Sequence, residues 1–209
     1  MIQFRTPKPS ISKTLLTILF LPLLLSAGCA DSDTADKNPV LDPGALGPYP
    51  IGITEVVFYD ESRDRTLLTN VWYPANEAAR DAEPASAESY LPEDLGFLAA
   101  NSTLTLRAVR DAELAMDGPF ALILFSHGND GINFQNGDQM EYLASHGFIV
   151  ASADHEGNTY FNTSGSPSGL AVDRPLDFIF LLDEMLRTND DPDDLFYEWI
   201  DTTIGVGAS

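Results

Sequence analysis

The second half of the chain alternates two kinds of apolar pattern, and that alternation leaves few folds open. "FALILFS" (120–126) and "FIVASAD" (148–154) are continuous apolar runs of strand length. Between them, "GDQMEYLASHG" (137–147) carries Met140, Leu143 and Ala144 at helical spacing, and Gly147 suits a helix stop. "RPLDFIFLLDEMLR" (174–187) places Leu176, Ile179, Phe180, Leu182 and Leu186 on a broad apolar face, with Pro175 suited to a first turn. "TTIGVGAS" then closes the chain as a β-rich run. Strands that are apolar throughout are buried on both faces, and strands separated by helices pair in parallel. The expectation is an α/β fold, a mostly parallel sheet with helices on both faces.

Ahead of this lies a different pattern. "IGITEVVFYD" (51–60) and "RTLLTNVWYP" (65–74) are β-rich runs separated by "ESRD", which reads as an N-terminal antiparallel hairpin. Residues 75–118 are rich in Ala, Glu and Pro with weak helical patches, and read as an insertion or covering segment. There is no internal repeat. About 160 residues from Gly47 onward suffice for one domain with a real core.

Sheets of this kind carry their sites at the carboxyl ends of the strands. Strand 120–126 runs into "SHGNDG", strand 148–154 into "DHEGNT", and the last strand into "GAS". All three polar ends are expected on one rim. Gly128 and Gly131 would let the first loop adopt positive φ and bring backbone N–H groups close to a ligand. A triad of Ser126, His127 and Asp154 is rejected, because neighbouring residues at a strand end point to opposite sides. His146, before a helix-stopping glycine, reads as a cap or surface residue. His155 reads as a structural hydrogen-bonding group at the rim. "GAS" matches the start of G-x-S-x-G, the elbow in which a nucleophilic serine sits between strand and helix.

Taken in order, "YPIGITEVVFYDESRDRTLLTNVWYPA", "FALILFSHGNDG", "YLASHGFIVASADHEGNT", "RPLDFIFLLDEM" and "DTTIGV" resemble the α/β-hydrolases related to platelet-activating factor acetylhydrolase, with dienelactone-hydrolase-like esterases more distant. The resemblance runs from about Tyr49 to Val206. It implies carboxylic-ester hydrolysis by a Ser-His-Asp triad on a small-molecule or lipid-like ester, with no cofactor. It implies an oxyanion donor at the backbone N–H of Asn129 and a nucleophile in the elbow after "IGV". Ser209 is the candidate nucleophile, or else the elbow lies further on. The family's acid and base follow the nucleophile in chain order, and nothing follows Ser209 here. Residues 48–209 are therefore expected to be the N-terminal portion of such a hydrolase, a partial α/β-hydrolase fold stopped at its elbow and without turnover of its own. The alternative is a non-catalytic lipoprotein that uses the half-sheet as a binding module.

Residues 1–28 read as a leader. Arg5, Lys8 and Lys13 precede an apolar run, Leu15 to Leu25, broken only by Thr17 and Pro22. The run is short for a stable membrane-spanning helix. Ser26, Ala27 and Gly28 before Cys29 resemble the lipobox of bacterial lipoproteins, which implies cleavage before Cys29 and lipidation of its thiol. A plain secretory leader with a lone cysteine is the other reading. Lipidation would tie the protein to a membrane of the bacterial cell envelope. Residues 29–47 are polar and rich in Pro and Gly, and read as a flexible acidic tether. Cys29 is the only cysteine, so no internal disulfide can form.

The net charge of −21 would become −24 once the three basic residues of the leader are removed. Such a surface argues against nucleic acid as a partner, since phosphate contacts need Lys and Arg. "NDDPDD" (189–194) lacks the spacing of a calcium loop and reads as a solvated turn. The three histidines lack zinc-ligand spacing.

Overall fold

The structure is a computed structural model that describes residues 42, 44–86, 106–203 and 207–208. Cys29, the leader, most of the tether, residues 87–105 and Ser209 lie outside the described residues. The hairpin forms over the expected residues. β1 (Ile51–Asp60) pairs antiparallel with β2 (Arg65–Pro74), Ile51 opposite Pro74 and Asp60 opposite Arg65. Asp60 shapes the turn. Its carboxylate accepts the Ser62 N–H at 2.9 Å and the Arg63 Nε–H at 2.5 Å, and Asp64 turns the chain with φ of 53°.

The described part of the 75–118 segment adds to the sheet. After a short 3-10 turn (Glu77–Asp81), β3 (Val109–Arg110) adds to β1 in parallel and extends the sheet. A two-residue strand leaves no periodic signature, so the sequence pattern did not reveal it.

β4 (Ala121–Ser126), α1 (Gly137–Ser145) and β5 (Phe148–Ala153) follow as expected. α1 ends at His146, and Gly147 takes φ of 92°, the left-handed stop for which glycine is suited. α2 (Pro167–Asp190) departs from expectation. It begins seven residues before Arg174. Ser166 caps it by accepting the Gly169 N–H at 3.1 Å, and Pro167 fills the first turn. Pro175 thus lies inside the helix, not at its start.

The apolar face of α2 is also rotated from the predicted one. Leu176 and Ile179 are exposed, Phe180, Leu182 and Leu186 of the expected face are partly buried and pack on the core, and Asp177, Leu181, Met185 and Thr188 form the buried stripe. A buried carboxylate on that stripe sets the rotation, because its partners all lie on the sheet side.

The sheet has six strands in the order β3-β1-β2-β5-β4-β6. β5 runs antiparallel to β2 and parallel to β4, and β6 (Gly207–Ala208) lies parallel to β4, with Gly207 opposite Ile123 and Ala208 opposite Leu124. One face packs Leu67, Val71, Tyr73, Leu122 and Leu124 against Leu181 and Met185 of α2. The other packs Ile53, Trp72 and Val150 against Met140 and Ala144 of α1. Each such side chain contributes about 1.5–3 kcal/mol through burial. Because β4, β5 and β6 are parallel, Ser126, Asp154 and the end of β6 share one rim.

Candidate active site

That rim holds a polar assembly built from β4, β5, α2 and the hairpin turn. Its centre is Asp177, fully buried on α2. Arg63 comes from the β1–β2 turn and Arg65 from the start of β2. Arg63 Nη1 reaches Asp177 Oδ1 at 2.7 Å, and Arg65 donates from Nε at 2.8 Å and from Nη2 at 2.7 Å. His155 Nδ1 lies 3.0 Å from Asp177 Oδ2. Burial pushes the Asp177 carboxyl up, but the hydrogen bonds from His155, Arg65 and Arg63 outweigh it and hold it well below the usual carboxylate range. Sequence reading missed Asp177. The signal was available: one acid set four residues from Leu181 and eight from Met185, on a stripe otherwise facing the core.

On its other side, His155 Nε2 lies 2.8 Å from Ser126 Oγ. Ser126, His155 and Asp177 therefore form a hydrogen-bonded line in the order of a catalytic triad. The groups around it give it a structural character. Arg174 Nη2 donates to Ser126 Oγ at 2.9 Å, which ties up the hydroxyl oxygen. Two guanidiniums share the carboxylate with the imidazole. Ser126 Oγ bonds His155 and Arg174, not His127, although both Ser126 and His127 meet the His155 ring, and His155 is buried and hydrogen-bonded at the rim. Asp154 joins neither histidine; its Oδ1 accepts the Asn133 N–H at 2.7 Å. Burial, partly offset by that bond, pushes the Asp154 carboxyl up to about 6. His146 is exposed at the end of α1, as expected.

The loop after β4 is braced from several directions. His127 is buried, and its Nδ1 lies 2.8 Å from the Gly128 carbonyl, which accepts only. Its Nε2 accepts the His155 backbone N–H at 3.2 Å. These partners fix a neutral ring with its proton on Nδ1. Burial, the largest influence, pushes the His127 pKa down to about 4.

Gln135 Oε1 accepts the Gly128 N–H at 3.0 Å, and the Gly131 N–H reaches the Gly128 carbonyl at 3.1 Å. Arg174 donates from Nη2 to the His127 carbonyl and from Nη1 to Asn158 Oδ1 at 2.8 Å. Asn158 Nδ2 in turn donates to Asn129 Oδ1 at 3.0 Å and to Asp130 Oδ1 at 2.9 Å. The expectation of positive φ at the two glycines is not met. Gly128 and Gly131 lie outside that region, and Asp130 carries the left-handed turn with φ of 54°. Gly131 is needed for space: a Cβ there would come within 3.0 Å of His127 Nδ1 and 3.1 Å of the Gly128 carbonyl oxygen.

Asn129 is exposed, and its backbone N–H has no acceptor among the described residues. The residue lines a cleft of about 430 Å³ with Asn158, Pro167, Leu170, Ala171 and Arg174 among others. Among the described residues, no group of three or more His, Cys, Asp or Glu side chains is arranged to hold a metal ion.

A half-wound sheet with helices on both faces and a polar loop after a parallel strand is the architecture of the α/β ester hydrolases. The solved structure of a ferulic acid esterase from Streptomyces cinnamoneus shares it, with a TM-score of 0.61 over 78% of this chain and 53% of that one. At 22% identity the likeness is one of fold alone. The model of the family of platelet-activating factor acetylhydrolase, isoform II, matches residues 35–166, and the chain belongs to that family. The platelet-activating factor acetylhydrolase of Cavia porcellus is 29% identical over 125 residues, covering 54% of this chain and 28% of that protein. The chain thus spans under a third of the length of that curated relative.

Proposed function

We propose that the chain supplies the oxyanion loop and nucleophile strand of a serine carboxylic-ester hydrolase, with Asn129 N–H as an oxyanion donor and Ser209 as nucleophile. The observation that carries this reading is the Asn129 N–H, without an acceptor among the described residues, on a loop held by buried partners. In the α/β-hydrolase plan, one oxyanion donor comes from a loop after a neighbouring strand and the other from the residue after the nucleophile. β6 lies beside β4, and Ser209 is the next residue after β6 in the sequence.

In this reading the serine hydroxyl attacks the ester carbonyl and passes its proton to the triad histidine. The Asn129 N–H receives the charge that develops on the carbonyl oxygen. Collapse expels the alcohol, which takes the proton from the histidine, and water releases the acid. The triad's acid and base are assigned to sequence outside these residues, in keeping with the share of its relatives' length that the chain spans. The curated relative is named for acetyl hydrolysis, and in this reading the substrate is a small-molecule or lipid-like carboxylic ester.

The test is hydrolysis of short-chain p-nitrophenyl esters. The protein read through beyond codon 209 should turn over, and Ser209→Ala should remove that activity. Undiminished turnover in Ser209→Ala would move the nucleophile elsewhere. The 209-residue chain alone should show no Ser209-dependent rate, because nucleophile and base act as a unit.

The same proposal places the protein on a membrane of the bacterial cell envelope through lipidated Cys29, on the strength of "SAGC" after the apolar run. Cys29→Ser should lose the lipid mass and leave the membrane fraction. Equal retention of that variant, with no lipid on the wild type, would reject the anchor.

A further inference from the structure

We propose that His127 is the positioning residue for the Asn129 N–H: its ring, held by the backbone of His155 just beyond β5, keeps the Gly128 carbonyl turned inward and so points the next amide out of the loop. The inference rests on the reading of Asn129 as the oxyanion donor and adds what aims it.

A trans peptide is planar, with its C=O and N–H antiparallel. The carbonyl of Gly128 and the N–H of Asn129 belong to one such plane. If the carbonyl points into the protein, the N–H must point out. Glycine offers little resistance to a flip of this plane, because it tolerates backbone conformations closed to other residues. A flipped plane would present a carbonyl oxygen where the oxyanion donor should be, and would repel the developing charge. Something other than Gly128 itself must hold the plane.

His127 Nδ1–H and Gly131 N–H both donate to that carbonyl, at 2.8 and 3.1 Å. A flip would leave both donors without an acceptor, and the imidazole one is fully buried. A buried donor left without an acceptor carries the full cost of its desolvation. The ring cannot swing away to follow the flip. Its Nε2 accepts the backbone N–H of His155, just beyond β5, and its own carbonyl is gripped by Arg174. The same contact fixes the tautomer. A proton on Nε2 would face the His155 N–H donor to donor, so the proton stays on Nδ1, where the Gly128 carbonyl needs it. The low His127 pKa accords with this neutral ring. Arg174 and Asn158 hold the far side of the loop through the Asn129 side chain, and among the described residues the Asn129 N–H has no acceptor.

The test has two arms. Nitrogen NMR of the labelled 209-residue protein at neutral pH should show His127 with Nδ1 protonated and Nε2 bare. His127→Phe keeps the ring and removes the donor. In that variant the residual dipolar coupling of the Asn129 N–H should change while those of the β4 and β5 amides stay. A proton found on Nε2 in the wild type overturns the proposal without any variant, even if His127→Phe does not fold. An unchanged Asn129 coupling in folded His127→Phe also overturns it.

The second arm is turnover in the read-through protein. There His127→Phe should lower kcat about 10²-fold with KM within about twofold, the mark of a lost transition-state donor. An Asn129 vector that moves while kcat holds would sink the oxyanion assignment and leave the hold of His127 on the loop standing. The first arm needs no turnover, so it decides the inference even if the esterase reading fails.

Discussion

His155 Nδ1 sits 3.0 Å from Asp177 Oδ2, and through this pair the end of β5 is tied to α2 and to the two arginines of the hairpin. Asp177 accepts from three side chains and is fully buried, while the Arg63 and Arg65 side chains are 19% and 13% exposed. Removing the carboxylate would leave two guanidiniums facing each other in a poorly solvated site. Asp177→Ala should therefore cost about 3–5 kcal/mol, the scale for breaking a buried ion pair on one side. Urea unfolding measures it. A loss below about 1 kcal/mol, the scale of an exposed pair, would mean that water reaches the cluster freely.

Ser126 tests the distinction between a triad and a brace. Its Oγ accepts from Arg174 and meets His155 Nε2. As a brace, Ser126→Ala leaves Arg174 one acceptor short and should cost about 1–2 kcal/mol. It should leave Ser209-dependent hydrolysis by the read-through protein within about threefold of wild type, since no bond to the reacting atoms is lost. Collapse of kcat at unchanged stability would make Ser126 the nucleophile.

Much of the architecture was legible because it rests on period and length. The hairpin, β4, α1 and β5 each carry an apolar pattern long enough to identify, and Gly147 marks its helix stop. Where several signals compete, the sequence was less clear. Pro175 looked like a helix start because proline favours first turns, yet Ser166 and Pro167 supply the stronger cap upstream. The buried face of α2 was legible only in part: Phe180, Leu182 and Leu186 pack on the core, but apolar count takes no account of a buried ion pair, and Leu176 and Ile179 are exposed. At the site, strand geometry leads to the expectation that Ser126 and His127 face apart, yet both meet the His155 ring. The bond from His127 to Gly128 and the route from Arg174 through Asn158 to Asn129 join segments 16 to 47 residues apart or depend on a local ring angle. No pattern along the chain encodes those.

The two loop glycines should behave differently on substitution. At Gly128 a Cβ would meet Gln135 Oε1 at 3.5 Å, an ordinary contact, and φ is not positive. Gly128→Ala should change stability by less than about 1 kcal/mol. At Gly131 the added atom would press on the Gln135 side chain, His127 Nδ1 and the Gly128 carbonyl together. Gly131→Ala should cost about 1–3 kcal/mol, as overpacking does, and should disturb the Asn129 amide. Equal midpoints for the two variants in urea would show that the loop can relax around either.

The pH dependence of stability should carry two opposed contributions on this rim. His127 falls from 6.5 to about 4 on folding, pushed chiefly by burial. Between those values the unfolded chain binds a proton at His127 that the folded chain does not, so stability rises with pH. Asp154 climbs from 3.8 to about 6, again chiefly by burial. There the folded chain holds the proton, so this contribution is present below about pH 4 and is lost as pH rises toward about 6. Each slope is at most about 1.4 kcal/mol per pH unit, and over the shared window they cancel. Asp154→Asn removes one of them and can keep an acceptor for the Asn133 N–H. Relative to wild type it should gain stability steadily between about pH 4 and pH 6, and the gain should vanish below about pH 4, where Asp154 is already neutral. Urea midpoints for both proteins across this range measure the difference, and exposed carboxylates drop out because both chains share them. A difference that stays constant from pH 4 to pH 7 would show that Asp154 does not titrate in the folded protein over that range.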